Sequence, residues 1–200
     1  TIFPTPVIGM LGLIEDTRHI TPNHFRRPGD LIVLLGRMTG EIGGSQYLFQ
    51  ATKNILGDAP EIDLKYERRL QLLCLELATT KKILSAHNVS EGGIAVALVE
   101  CCLAGPEILG AIINKLPIAQ YRKDFALFGE NQSRILVTVD LDSVTTLLAL
   151  TKSYGIDSCI IGEVTNDERL RVKNSIDISL KDASQMYHKS IPQLMGEEML

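Results

Sequence analysis

The 200-residue sequence has no excess of basic charge, no long apolar run and no cysteine pair at metal-binding spacing. Each absence excludes a class of function. A formal net charge of −4 leaves no electrostatic footprint for a nucleic acid or an anionic membrane. No apolar stretch approaches the roughly 20 residues that a spanning helix requires, and a secretory leader is not expected. Cys74, Cys101, Cys102 and Cys159 show no C-x-x-C spacing, and adjacent cysteines on a helix point in different directions. They read as buried thiols in a protein of a reducing, cytoplasmic compartment. His19, His24, His87 and His188 lack the i, i+4 spacing of helical zinc ligands, so no zinc site is expected. An initiator methionine is missing too. The sequence opens at Thr1 on a proline-punctuated apolar run, which is the expectation for a piece of a longer polypeptide.

What is present alternates between extended and helical patterns. Pro6 to Glu15 reads as a short apolar strand loosened by Gly9 and Gly12, and Thr17 to Asp30, with Pro22 and Pro28, as a linker. Leu31 to Leu35 is a continuous apolar run of the kind found in buried strands. A short helix is expected after Ser45, through Thr52. From Asp63, the spacing of Tyr66, Leu70, Leu73 and Leu77 predicts an amphipathic helix. Ile83 to Ala86 is expected to be a strand, His87 to Gly93 a turn, and Ile94 to Leu103 a helix buried on every side. Ala111 to Leu116, Arg134 to Asp140 and Cys159 to Val164 read as strands, with Leu170 to Val172 as an edge. Ser143 to Tyr154 is a helix closed by Gly155, and Asp182 is expected to cap a last helix containing Pro192. The fold class is α/β, with helices layered on a sheet.

Three glycine-containing loops meet helix starts or sheet ends, where unpaired N–H groups favour anions. Gly40 to Gln46 is either a tight turn with Ser45 as N-cap or a backbone approach to a ligand. Ser85 to Gly93 gathers His87, Asn88, Ser90 and Glu91 where a strand ends. It is either a capped helix start or a loop offering Asn88 and Glu91 oxygens to a hard cation and the Gly92 and Gly93 amides to phosphate. Leu127 to Arg134 is either solvated or, if extended, places Glu130, Gln132 and Arg134 on one face. No Walker loop, G-x-G-x-x-G or serine triad is present.

These stretches carry a resemblance. Phe3-Pro4-Thr5-Pro6-Val7-Ile8-Gly9 through Glu15-Asp16 resembles the P-T-P-V-I-G-x-x-G-L-[IL]-[ED]-D segment of the phosphoribosylformylglycinamidine synthase family. Ser85-Ala86-His87-Asn88-Val89-Ser90-Glu91-Gly92-Gly93 is similar to its S-A-H-D-V-S-E-G-G motif, and Glu130 to Arg134 to its S-E-S-Q-S-R segment. The resemblance implies a layered α/β domain with a mixed sheet, of the AIR-synthase C-terminal-domain type. Residues 1–16 would be the last strand of a preceding ATP-binding domain, 17–30 a linker and 31–200 the C-terminal domain.

That family converts formylglycinamide ribonucleotide, ATP and glutamine-derived ammonia to the amidine, using Mg2+. It works with a glutaminase subunit, a small accessory subunit and the other domains of its own chain. Its catalytic groups lie upstream, so the resemblance implies no catalytic residue here. It implies instead an auxiliary nucleotide site at His87, Asn88, Ser90, Glu91, Gly92, Gly93, Glu130 and Gln132. Asn88 stands where the family has a magnesium-holding aspartate, and the loss of that charge weakens a hard-cation site. The alternatives are a buttressing or docking domain with a vestigial nucleotide cleft, and a fragment of another ATP-dependent enzyme of the AIR-synthase superfamily.

Overall fold

The computed structural model describes residues 7–117 and 122–196. Its spine is β1 (Leu31–Leu35). Ile32 and Leu34 face one apolar cluster and Val33 and Leu35 the other, so the strand is buried on both faces and reads as an unbroken apolar run. Each such side chain contributes about 1.5–3 kcal/mol by burial.

Around β1 lie β2 (Ser85–Asn88), β3 (Gly110–Ile113), β4 (Ile135–Val139), β5 (Ser158–Thr165), β6 (Arg169–Val172) and β7 (Ile176–Ser179). Among the described residues these make one seven-stranded mixed sheet in the order β2-β4-β1-β5-β3-β6-β7. Only the β3–β6 pair is parallel.

The α-helices among the described residues are α1 (Gln46–Thr52), α2 (Leu64–Thr79), α3 (Gly93–Leu103), α4 (Lys123–Phe128), α5 (Val144–Tyr154) and α6 (Leu180–Leu194). The Tyr66, Leu70, Leu73 and Leu77 stripe of α2 packs with Leu147 of α5 on one face of the sheet. Ile94, Leu98, Cys101 and Cys102 of α3 fill the other face, with Leu127 of α4 and Leu180 and Ala183 of α6. The expected helix start at Asp63 is observed: its Oδ1 accepts from the Lys65 and Tyr66 N–H groups, each at 3.0 Å. Gly155 closes α5 in the left-handed conformation. The thiols are packing groups, and burial pushes Cys74 up to about 11 and Cys102 up to about 12.

The structure corrects several expectations. Thr1–Pro6 lie outside the described residues, and residues 7–15 form no strand. Val7, Ile8, Met10, Leu11 and Leu13 are exposed, because a strand needs a neighbour for its N–H and C=O groups and no described strand lies beside this one. Residues 17–30, by contrast, are tied to the domain. Phe25 is buried, its N–H donates to Cys101 O at 2.9 Å, and the Ala86 N–H donates to Pro22 O at 2.9 Å. The last contact covers part of the exposed edge of β2.

Strand β2 runs to Asn88, so His87 and Asn88 are strand residues and not part of a turn; they pair with Leu136 and Ile135 of β4. Strand β3 ends at Ile113, short of Leu116. Leu170–Val172 is internal, because the unpredicted β7 pairs along its outer side. Helix α4 was also not expected. Ser179, rather than Asp182, caps α6: its Oγ accepts from the Asp182 N–H at 3.1 Å and donates to Asp182 Oδ2 at 2.8 Å.

Candidate functional site

The three loops singled out in the sequence meet at one carboxylate. Glu130 Oε1 accepts the N–H of Gln46, the first residue of α1, and the N–H of Gly92, which precedes α3; both bonds are 2.9 Å. Gly92 has no side chain with which to cap α3, and the charged oxygen of Glu130 supplies an acceptor there. At the start of α1, Ser45 takes the Leu48 N–H at 3.2 Å, leaving the Gln46 N–H for Glu130.

The backbones are close enough that two glycines are required. A Cβ on Gly93, whose φ is +66°, would lie 2.6 Å from Leu127 O and 2.7 Å from Gly129 O. One on Gly43 would run into the Asp58 carbonyl. These glycines serve contacts inside the chain.

The 129–134 segment is not extended. Ser133 takes a left-handed φ of 59°, so the extended alternative, with strict alternation of Glu130, Gln132 and Arg134 against Asn131 and Ser133, does not apply. Arg134, only 3% exposed, turns inward. Its Nη2 donates to Gly129 O at 2.6 Å and its Nε to Asn131 O at 3.1 Å, which fixes the loop that presents Glu130. Burial pushes the Arg134 guanidinium down to about 10, against the opposing pull of Glu130. Asn131 is also buried and donates to Arg37 O at 3.0 Å.

Beside this junction is a cavity of about 320 Å³ lined by Asn88, Ser90, Glu91, Glu130, Gln132 and the first-turn residue Glu67 of α2, with Ser133 and Arg134. The structure therefore brings together five of the eight residues singled out from sequence. Gly92 and Gly93 are not among the residues lining the cavity, and His87 faces elsewhere. Successive side chains of β2 alternate: Ala86 packs with the α2 cluster, and Asn88 shares that face. His87 is buried on the α3 side, with Nε2 3.5 Å from Glu100 Oε2 and Nδ1 2.6 Å from Asn88 O. Tyr187 of α6 donates to the same Glu100 at 2.8 Å.

Glu67 was missed by sequence reasoning, and Ser133 was placed in the third loop without a role of its own. Ser133 Oγ donates to Glu67 Oε2 at 2.6 Å. The available signal for Glu67 was its place beside Tyr66, off the apolar stripe in the first turn of α2.

For a divalent cation the donor set is thin. Among the described residues no three His, Cys, Asp or Glu groups converge at metal-binding spacing. Both Glu67 oxygens and Glu130 Oε1 are engaged in hydrogen bonds, leaving Glu91, Glu130 Oε2 and the side-chain oxygen of Asn88. These fit Mg2+ only with further oxygens from a ligand, as is common for that ion.

A second cavity, of about 370 Å³, shares Gln132 and Ser133 with the first and is lined also by Arg37, Glu41 and Tyr66. Arg37 lies over the Tyr66 ring at 4.5 Å and its Nε bonds Asp157 Oδ2 at 2.8 Å. The guanidinium holds that carboxyl below the usual aspartate range. Tyr66 Oη donates to Asp157 Oδ2 at 3.1 Å.

The family model for the AIR synthase related protein, C-terminal domain, matches residues 27–174. Phosphoribosylformylglycinamidine synthase subunit PurL of Moorella thermoacetica is 38% identical over 198 residues, 98% of this chain and 26% of the relative. The same subunit of Caldanaerobacter subterraneus is 41% identical over 183 residues, 90% of this chain and 24% of the relative. The chain thus spans about a quarter of the length of these relatives. Among solved structures, Thermotoga maritima PurL complexed with FGAR has a TM-score of 0.69 at 21% identity, covering 82% of this chain and 29% of that one. Its complex with ATP has a TM-score of 0.64 at 19% identity, covering 82% and 27%. At that identity the structures speak for the fold. The chain belongs to the AIR synthase related proteins, as a C-terminal domain of that family.

Proposed function

We propose that this chain is the C-terminal domain of a phosphoribosylformylglycinamidine synthase, an ATP-dependent amidoligase of purine biosynthesis. In that reaction formylglycinamide ribonucleotide and glutamine-derived ammonia give the amidine, with ATP converted to ADP and phosphate. The observation that carries the reading is 38% identity to a curated synthase subunit over 98% of this chain. The structural likeness to a subunit solved with ATP and with FGAR supports it. Partners of the whole polypeptide would be a glutaminase and a small accessory subunit, a reading supported by the PurLQS structure from Thermotoga maritima. The compartment would be the cytoplasm. No helix among the described residues is long and apolar enough to cross a membrane.

Within the whole enzyme this domain walls one side of a nucleotide cleft. Asn88, Ser90, Glu91 and Gln132 are the cavity side chains turned toward solvent; Glu91 and Asn88 are the residues that would hold Mg2+, which would supply positive charge against a nucleotide's phosphates. Residues 1–16 would complete the sheet of a preceding ATP-binding domain, with 17–30 as the link to residues 31–200. The exposed apolar side chains of residues 7–14 support that assignment.

The test is an assay of the intact polypeptide for ammonia-dependent amidine formation, beside the 200-residue chain alone. The intact polypeptide is expected to turn over and the chain alone to show no turnover or ATPase activity. Activity of the chain alone would overturn the reading.

A second reading, a buttressing domain with a vestigial cleft, is favoured by one observation: the cation in the cavity wall, Arg134, is spent on backbone carbonyls. Binding of Mg·ADP to the intact polypeptide, native against Asn88→Asp, separates the two. An additional bound nucleotide in either protein supports the cleft, and none in both supports the buttress.

A further inference from the structure

We propose that Glu130 is an internal anion that fills the seat which the start of α3 would otherwise offer to phosphate, so that the cleft rejects free phosphate. It accepts a ligand through an uncharged or cation-bearing face. Four observations lead there, and they hold whatever reaction the whole polypeptide performs.

First, both loop donors are taken. The Gly92 and Gln46 N–H groups point at the same Oε1, each at 2.9 Å, so an incoming phosphate oxygen would have to displace a carboxylate already bound by two charge-assisted bonds. Second, the glycines of these loops face the protein's own backbone. Gly93 abuts the Leu127 and Gly129 carbonyls and Gly43 abuts Asp58, so neither clears room for a ligand. Third, the backbone that carries the carboxylate is held in place, because Arg134 pins the carbonyls on either side of Glu130, Gly129 O and Asn131 O. Fourth, the charges lining the cavity are Glu67, Glu91 and Glu130, and Arg134 is turned inward. A phosphate dianion would meet three carboxylates and no open cation, whereas the amide of Gln132, the amide of Asn88 and the hydroxyl of Ser90 suit a neutral polar face.

The test is hydrogen exchange in the intact polypeptide across the segments holding Gln46 and Gly92, with and without inorganic phosphate. In the native protein, phosphate is expected to leave both rates unchanged. In Glu130→Ala, both segments should exchange roughly ten-fold faster or more, as loss of a charge-assisted bond implies, and phosphate should slow the Gly92 segment again. Glu130→Gln keeps an acceptor without the charge and should show a smaller acceleration; it carries the comparison if Glu130→Ala fails to fold. The proposal is overturned if phosphate slows exchange at Gly92 in the native protein. It is overturned equally if both variants exchange at native rates, or if phosphate has no effect on the accelerated Gly92 segment.

Discussion

His87 and Asn88, neighbours in sequence, lie on opposite faces of β2. The first is buried against Glu100 of α3, and the second opens into the cavity beside α2. A ligand in that cavity meets one and not the other, although the two are adjacent in the motif that drew attention to them. Substituting them should therefore separate stability from binding. His87→Ala removes a buried ring that links β2 to α3, and through Glu100 to Tyr187 of α6. It should cost about 1–3 kcal/mol. Asn88→Ala should stay within about 0.5 kcal/mol, as surface substitutions do. Urea midpoints of the two variants check this, and equal losses would contradict the assignment of faces.

Gly93→Ala tests the packing of the loops. A left-handed φ alone costs a non-glycine residue about 1–2 kcal/mol, and here the new methyl also meets the Leu127 and Gly129 carbonyls at 2.6 and 2.7 Å. The expected loss is above about 2 kcal/mol, read from the thermal midpoint of the variant. A loss no larger than the conformational cost would mean that the loops do not pack as closely as the structure has them.

Much of the scaffold was legible, for identifiable reasons. Strand β1 is an unbroken apolar run because helices cover both of its faces, and α2 announces itself by the Asp63 cap and a 4, 3, 4 apolar spacing. Gly155 marked the end of α5 because the left-handed conformation is cheapest for glycine. The four-residue β7 and the six-residue α4 are too short to develop a period, and they owe their existence to neighbours. The apolar pattern of residues 7–15 failed for the converse reason: a strand pattern without a partner strand has nothing to pair with. At the site, the polar loops stood out individually. That one Glu130 oxygen joins two of them, and that Arg134 is buried, depends on contacts between residues 38 to 84 positions apart and on a turn at Ser133.

Arg134 holds the loop that carries Glu130. Its planar fork reaches two carbonyls at once, and an ammonium group does not reproduce that geometry. Arg134→Lys should cost about 1–3 kcal/mol by leaving a buried carbonyl unpaired. Arg134→Ala should cost more, because it empties the space as well. Denaturant midpoints should follow the order native, Lys, Ala. A lysine variant as stable as the native chain would show that the fork is not needed.

Asp30, at the entry to β1, sets a pH dependence of its own. Its Oδ1 accepts from Arg27 Nη2 at 3.1 Å, while Oδ2 is buried without a partner. Burial raises the carboxyl above the ordinary aspartate value, with the Arg27 bond pulling the other way. Between the unfolded value and the raised folded one, the folded chain holds a proton that the unfolded chain has released. In that window, stability from this group falls as pH rises, and above it the loss is complete. Asp30→Asn abolishes the titration. The native chain should therefore gain stability relative to the variant as the pH is lowered through the window, with a flat difference at neutral pH and above. Urea midpoints of both proteins across the acidic range decide the matter. A difference independent of pH, or one of opposite sign, would mean that Oδ2 is solvated or partnered after all.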